Sequence, residues 1–522
     1  MELLERPSNN FIDVQDFMDR VVGSYNHGTA EKGLPADIFV ARSLIPSGTA
    51  ALRDFSYIAP EIPEFNPDNC VGCMECVVEC PDTAILAKAL PVSTLEANLG
   101  GLTGEGERER QEGNWAKTRK YYDVPQRQKQ EPAMFGIFID PTKCKGCAEC
   151  VEVCGDHNAL RMITKTPQNM AHYRKSFTFY RKTPETPAAY IQEKILADMM
   201  LAERSNLYVG GAGSCAGCGE GTAIRMLCAA TGFQYGPENF GMVASTGCNT
   251  VYTSTYPFNP YLIPWTNSLF ENAPADAMGI RARWNAQGWG DKRLWVLGGD
   301  GAMLDIGFQS LSRMLASGMD IKVLVLDTQV YSNTGGQAST STFMAQETKF
   351  SYHGKAEGGK SEARKELAQI AMMHPNTFVA QTTCAHMNHF YRAVMRANEF
   401  RGPAVIICYT TCQPEHGVAD HLAGYQARLA VDCRAFPLMV YDPEKGDKIR
   451  ERTSLAGNPS MKEDWYKHPK TGEPMDFIHW ARTEGRFSKH FDSNGVASAG
   501  LHKAQEERLR NWHVLQELAG LR

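Results

Sequence analysis

The sequence predicts an α/β chain in which a doubly wound parallel sheet spans residues 209–440, behind a smaller α+β module at residues 61–165. Three observations predict it. The runs Leu294-Trp-Val-Leu-Gly298, Ile321-Lys-Val-Leu-Val-Leu326 and Ala404-Val-Ile-Ile-Cys-Tyr409 are short and apolar, as strands buried on both faces are. Helix-like stretches, Asp305–Ser317 and Ser361–Met373, alternate with them, and such alternation builds a parallel sheet. The 16 cysteines are grouped rather than spread, with two compact blocks ahead of the sheet.

The remaining elements follow in order. Residues 1–60 read as a lead-in arm with one helix-like stretch near Phe11–Val22. Residues 61–165 hold the two cysteine blocks. The polar insertion Glu105–Gln130 between them reads as a surface excursion or a partner contact. Residues 166–208, punctuated by Pro167, Pro184 and Pro187, read as a linker with one helix at Ala188–Glu203. Residues 441–522 read as a polar tail that wraps a neighbour, with a helix at Gly500–Leu521. The composition is that of a globular protein, 43% apolar and 22% charged. A net charge of −5 gives no basic footprint for nucleic acid. No apolar run is long enough to span a membrane. The start, MELLERPSNN, lacks the pattern of a secretory signal, so a cytoplasmic location is expected.

The first block is Cys70-Val-Gly-Cys73-Met-Glu-Cys76-Val-Val-Glu-Cys80-Pro81 and the second Cys144-Lys-Gly-Cys147-Ala-Glu-Cys150-Val-Glu-Val-Cys154-Gly155. In both, three thiolates at two-residue gaps can wrap one face of a cubane iron–sulfur cluster, and the fourth Cys ligates the other cluster. One [4Fe–4S] cluster is thereby assigned to Cys70, Cys73, Cys76 and Cys154, and a second to Cys144, Cys147, Cys150 and Cys80. Paired zinc knuckles are the rival, but zinc has no use for the third Cys of each block. Gly155 stands where such blocks usually carry Pro. The blocks resemble those of bacterial two-cluster ferredoxin domains.

A further motif, Leu297-Gly-Gly-Asp300-Gly-Ala302, follows an apolar strand and opens a helix-like stretch. Glycines let backbone approach a phosphate, a helix start favours negative charge, and Asp300 suits a hard cation such as Mg²⁺. The next strand ends in Asp327-Thr328-Gln329-Val330-Tyr331-Ser332-Asn333-Thr-Gly-Gly336. Parallel strands joined by one helix bring both tips to one sheet edge, where Thr328 Oγ and the Val330 carbonyl could complete an oxygen shell with two diphosphate oxygens. This pairing resembles the thiamine diphosphate fingerprint. A nicotinamide-type fold is the nearest rival and lacks its G-x-G-x-x-G.

Cys215-Ala-Gly-Cys218-Gly-Glu220 taken alone could be a redox dithiol or half a zinc site. Cys248 and Cys412 sit at strand ends, where ligands gather in α/β sheets. Cys228 and Cys408 lie in apolar runs and read as small buried hydrophobes, and Cys384 and Cys433 carry no motif.

Together, Gly211–Glu220, Thr246-Gly-Cys248, Asn267-Ser-Leu-Phe-Glu271, Gly298–Gly301, Asp327–Gly336 and Thr411-Cys412 resemble the C-terminal half of the pyruvate:ferredoxin oxidoreductase (2-oxoacid:ferredoxin oxidoreductase) family, over residues 35–445. The resemblance implies a third [4Fe–4S] cluster on Cys215, Cys218, Cys248 and Cys412. It implies a thiamine diphosphate site formed by Glu220, Cys248, Gly299, Asp300, Gly301, Ala302, Thr328, Gln329, Val330, Tyr331, Ser332 and Asn333. Mg²⁺ would be held by Asp300, Thr328 and the Val330 carbonyl, and Asn333 would lie at the reacting carbon. The implied activity is oxidative decarboxylation of a 2-oxoacid, foremost pyruvate, with coenzyme A as acyl acceptor and ferredoxin or flavodoxin as electron acceptor. The pyrimidine-binding domain of that family has no match here, which places it on a second subunit, in a dimer of heterodimers. A non-redox thiamine decarboxylase and a pure electron-transfer subunit are the rival readings.

Overall fold

The structure, a computed structural model, describes residues 14–34, 44–104, 106–351 and 358–522. The start MELLERPSNN, the first residues of the expected helix Phe11–Val22 and Glu105 of the insertion lie outside them.

The centre is an eight-stranded sheet. Its strands are β6 (Phe240–Ser245), β7 (Trp265–Ser268), β8 (Arg293–Gly299), β9 (Lys322–Asp327), β10 (Phe378–Thr383), β11 (Ala404–Tyr409), β12 (Met439–Tyr441) and β13 (Thr453–Ser454). The spatial order is β7-β6-β8-β9-β11-β10-β12-β13. All pairings from β7 to β10 are parallel, and β12 and β13 add antiparallel at one edge. Helices cover both faces, so β6, β9, β10 and β11 are buried along their whole length. This is why β9 and β11 showed in the sequence as continuous apolar runs, not alternating ones. The register sets Leu297 against Ala244 and Leu324, and Asp327 against Tyr409. The ends of β6, β8, β9 and β11 therefore lie side by side, and each is followed by one of the motif turns.

The cysteine blocks sit in a separate module. β1 (Glu61–Phe65) pairs antiparallel with β5 (Leu160–Thr164), and β2 (Ile85–Pro91) pairs with β4 (Ala133–Ile139). The two blocks repeat each other in backbone as well as in sequence. Gly72 and Gly146 have φ of 74° and 70°, Met74 and Ala148 have 71° and 66°, and each loop runs into a short helix, Glu75–Val78 or Glu149–Cys154. Gly155 ends the second helix at φ 51°, which proline cannot adopt. The departure from the usual Pro thus reflects a different turn.

Three expectations are corrected. Residues 188–203 do not form one helix but the short turns Ala188–Tyr190 and Leu196–Met199. Asp198 competes with the helix: fully buried, it accepts from the Gln192 N–H and the Tyr121 hydroxyl and pairs with Lys120. The long helix of this region is instead Pro167–Lys182, started by a Thr166/Asn169 capping box. Ser361–Met373 is helical only over Leu367–Ala371, because Arg364 and Lys360 turn inward to backbone and carboxylate partners. Residues 441–522 do not extend as a tail. Phe477, Trp480 and Phe487 are fully buried and pack with Phe343, and Trp512 and Leu515 of helix Ala499–Leu518 join the same core. The insertion is likewise folded in part onto its own module. Trp115-Ala116, β3, pairs with β4, and the Tyr121 ring stacks on Phe135 at 5.1 Å. Among the described residues no helix is long and apolar enough to cross a membrane.

Candidate functional site

Asp300 follows the end of β8 and is fully buried. Thr328, just past β9, places its Oγ1 3.2 Å from Asp300 Oδ1 and 3.1 Å from the Val330 carbonyl oxygen, and accepts a hydrogen bond from Ser332 at 2.7 Å. One hydroxyl proton cannot satisfy both neighbours. The spacing instead approaches that of adjacent oxygens around an octahedral Mg²⁺, about 2.9 Å for bonds of about 2.05 Å. The charges fit as well. Asp327 is ion-paired with Arg364, whereas Asp300 receives only hydroxyls, from Thr328, Ser339 and Ser341, and has no ion pair among the described residues. Burial and, after it, the Asp327 charge push the Asp300 carboxyl up to about 7. A buried carboxylate without a counter-cation is what a site for a divalent ion requires.

These groups face a pocket of about 380 Å³ at the sheet edge. All the expected cofactor residues line it except Gln329. That side chain turns away and is fully buried; its Nε2 donates to Asp327 and its Oε1 accepts from Arg486 at 3.1 Å. Gln329 has φ 57°, a reversal that aims it beneath the turn. It is a support of the site and not a wall of it. Thr246, Asn249 and Phe270 also line the pocket, although none was among the expected cofactor residues; they follow the ends of β6 and β7, whose neighbours only the sheet order reveals. Gly301 is required by packing, since a Cβ there would stand 2.2 Å from the Tyr331 ring. Glu220, in the first turn of helix Gly219–Tyr235, is pushed up to about 8 by burial and by Asp300.

Cys248 and Cys412 come from the loops after β6 and β11, Cys215 and Cys218 from the loop that enters helix Gly219–Tyr235, and all four line one adjoining pocket of about 520 Å³. Glu220, Cys248, Thr328, Ser332 and Asn333 face both pockets, so the two share a wall. Asn333 sits at this junction, exposed and hydrogen-bonded to Cys248. One residue there had no motif to announce it. His416 is fully buried; its Nε2 bonds the Thr328 carbonyl at 2.8 Å, and its Nδ1 accepts from the Cys412 N–H at 3.5 Å. It ties a pocket cysteine to the Asp300–Thr328 turn.

In the smaller module, Cys70, Cys73, Cys76 and Cys154 line a pocket walled by Phe65, Phe135 and Leu160. The charges of Cys147, Cys144 and Cys80 all act on Cys150, so the second set faces one another across the two blocks. Burial pushes the Cys70 thiol up to about 11 and the Cys144 thiol to about 12. Backbone N–H groups of Ala84 and Ala159 point at Cys80 and Cys154 sulfur, 3.4 and 3.3 Å away. Among the described residues no three His, Cys, Asp or Glu side chains converge closely enough for a single metal ion, whose thiolate ligands would stand about 3.8 Å apart. Cysteines set around pockets rather than points fit a polynuclear cluster.

Comparisons with known proteins agree with this arrangement. Residues 245–408 match the family described as "Thiamine pyrophosphate enzyme, C-terminal TPP binding domain", and residues 62–86 match "4Fe-4S binding domain". The chain is 27% identical to the "Probable pyruvate-flavodoxin oxidoreductase" of Escherichia coli (strain K12), over 85% of this chain and 41% of that protein. It is 26% identical to the "Pyruvate:ferredoxin oxidoreductase" of Moorella thermoacetica, over 82% of this chain and 40% of that one. It spans about two fifths of the length of the curated relatives it matches. Among solved structures, a 2-oxoglutarate:ferredoxin oxidoreductase from Magnetococcus marinus matches at 20% identity and a TM-score of 0.34, over 39% of this chain and 65% of that one. The chain is thus a homologue of the pyruvate-flavodoxin and pyruvate:ferredoxin oxidoreductases, with a thiamine pyrophosphate domain of the C-terminal type and a 4Fe-4S domain in one polypeptide.

Proposed function

We propose that this chain is the redox half of a 2-oxoacid:ferredoxin oxidoreductase, acting on pyruvate with coenzyme A as acyl acceptor. The observation that carries the reading is the shared wall. A diphosphate-type pocket with an unpaired buried carboxylate adjoins a pocket of four cysteines, through Cys248 and Asn333. Thiamine diphosphate, when bound, supplies the electron sink that lets a 2-oxoacid lose CO2. Asp300, Thr328 and the Val330 carbonyl would hold its Mg²⁺, and Asn333 would orient the substrate at the junction. Glu220, protonated at neutral pH, would act as a hydrogen-bond donor in the buried wall.

We read the three cysteine sets as an electron path. Cys215, Cys218, Cys248 and Cys412 would hold the [4Fe–4S] cluster nearest the pocket. Cys80, Cys144, Cys147 and Cys150 would hold the next, since the Lys145 side chain of that block bonds the Ser214 carbonyl beside Cys215. Cys70, Cys73, Cys76 and Cys154 would hold the outermost, where Cys73 and Val71 are exposed and a ferredoxin or flavodoxin can approach. The described residues contain one large sheet with one diphosphate-type pocket. We read the aminopyrimidine end as gripped by a further domain, on a second subunit in a dimer of heterodimers. A non-redox thiamine decarboxylase would have no use for twelve cysteines in three sets.

The test is CoA-dependent reduction of a viologen dye, anaerobically, by the complex purified with this chain. Pyruvate should reduce the dye, and this chain alone, reconstituted with clusters and cofactor, should not. Reduction driven by 2-oxoglutarate and not by pyruvate would reassign the substrate. CO2 release without dye reduction would favour the decarboxylase reading. Full activity from the isolated chain would remove the second subunit.

A further inference from the structure

Helix Gly219–Tyr235 starts directly after Cys218 and presses its first turns against Cys80-Pro81 of the smaller module. A Cβ on Gly221 would stand 3.2 Å from the Pro81 side chain, and Thr222 Oγ1 bonds the Glu79 carbonyl at 3.3 Å. Arg225 lies in this contact, on the face turned to the module. It is seven residues beyond Cys218 (225 − 218), or about 10 Å along the helix. The residue is 2% exposed. Nη1 donates to the Val77 carbonyl and, at 2.9 Å, to the Cys80 carbonyl. Nη2 is buried without a hydrogen-bond partner.

What is missing around Arg225 is an anion of its own. Among the described residues no carboxylate makes an ion pair with it. The carboxylate whose charge acts on it, Asp82, is bound at 2.6 Å to Lys145, which is itself buried. Glu79 pairs with Arg428 at 3.1 Å, and Glu149 accepts the Ala423 and Gly424 N–H groups. Two cations, Arg225 and Lys145, are thus sealed beside one carboxylate, Asp82. An uncompensated buried charge costs several kcal/mol. The groups left to answer it are sulfurs: besides Asp82 and Tyr180, the charges that act on Arg225 are those of Cys80 and Cys76. A cubane bound by four thiolates is anionic, and reduction adds one more negative charge.

We propose that Arg225 is the buried counter-cation of the cluster held by Cys80, Cys144, Cys147 and Cys150, and that its charge raises that cluster's reduction potential so that it draws electrons from the cluster on Cys215, Cys218, Cys248 and Cys412. The proposal rests on the cluster assignment above. A positive charge held in a low-dielectric interface stabilises the reduced form over the oxidised one. The guanidinium fits because its carbonyl bonds fix it in place while leaving one N–H pair free to face sulfur. Arg225 touches neither substrate nor thiamine diphosphate, so it is a positioning and tuning residue.

The experiment compares parent, Arg225→Met, Arg225→Gln and Arg225→Lys as full chains with clusters reconstituted anaerobically. Iron is counted and each cluster's midpoint potential is read by EPR-monitored redox titration. The parent's iron count and EPR signals test the cluster assignment itself; the variants' differences from the parent test Arg225. In the neutral variants one cluster should become harder to reduce, its reduced-to-oxidised ratio at the parent's midpoint falling about tenfold, or about 59 mV for a one-electron couple. The signal of the cluster on Cys70, Cys73, Cys76 and Cys154 should move less, and Arg225→Lys should stay near the parent. Loss of that one cluster in both neutral variants, with retention in Arg225→Lys, would support the proposal equally. Neutral variants that keep full iron with unmoved potentials would overturn it. So would an Arg225→Lys variant that shifts, or loses the cluster, as much as they do, because shape and not charge would then be the requirement.

Discussion

Replacing Asp300 with Asn should act in opposite directions on the metal-free and the metal-loaded chain. Without metal, the Asp300 carboxyl is fully buried, is bonded only by hydroxyls, and is pushed up to about 7 from its ordinary 3.8. A carboxyl with a raised folded pKa binds its proton more tightly when folded. Stability is therefore unaffected below the unfolded value, falls as pH rises between the two, and carries the full penalty above the folded value. The displacement corresponds to at most about 4 kcal/mol, and relaxation of the site leaves on the order of 2 kcal/mol. Asn is neutral and nearly isosteric, so the metal-free variant should unfold at a higher temperature than the parent at pH 8. That advantage should disappear at pH 4. With Mg²⁺ and thiamine diphosphate the sign reverses. Losing one partner of a buried charge pair costs about 3–5 kcal/mol, which is a loss of about two to nearly four orders of magnitude in affinity. Thermal unfolding in chelator at the two pH values and calorimetric titration with Mg²⁺–thiamine diphosphate measure the two effects. A variant that binds the cofactor as the parent does, or that is less stable than the parent at pH 8 without metal, would refute the reasoning.

Other expectations follow from the same geometry. Cys412→Ala should lower the iron content from about twelve to about eight per chain while leaving the signals of the other two clusters; unchanged iron would place the third cluster elsewhere. Lys145→Met should destabilise the chain by about 3–5 kcal/mol, because Asp82 is left buried and unpaired. Adding Asp82→Asn should restore part of that loss, a recovery read by a double-mutant cycle. Trp480→Ala should cost about 3–5 kcal/mol, since Trp480 is fully buried in the core shared with Phe343. An effect under about 1 kcal/mol in chemical denaturation would show instead that residues 477–487 are only loosely attached.

The sequence by itself determined the parts of this protein whose chemistry is local. The two cysteine blocks were legible as a structural repeat because ligand spacing within a loop follows from chain geometry, and the structure repeats Gly72 and Met74 at Gly146 and Ala148 with matching backbone. Buried strands showed as uninterrupted apolar runs, so β9 and β11 were legible almost to the residue. Asp300 and Thr328 were legible because each ends a strand, and adjacent parallel strands must deliver their ends to one edge. What only the tertiary structure decided involves partners far apart in the chain. Gln329 lies in the cofactor motif, yet Arg486, 157 residues later, holds it beneath the turn. His416 carries no motif, and its role appears only when the turn after β11 meets the turn after β9. Residues 441–522 look polar on average because their few large apolar side chains are spaced widely, and only packing shows that Phe477, Trp480 and Trp512 all reach one core. Arg225 looks like any helix arginine in sequence; burial and the absence of an ion-pair partner among the described residues set it apart. A local pattern fixes which groups can act as ligands, while burial and charge balance are sums over the whole fold, and no window of sequence contains them.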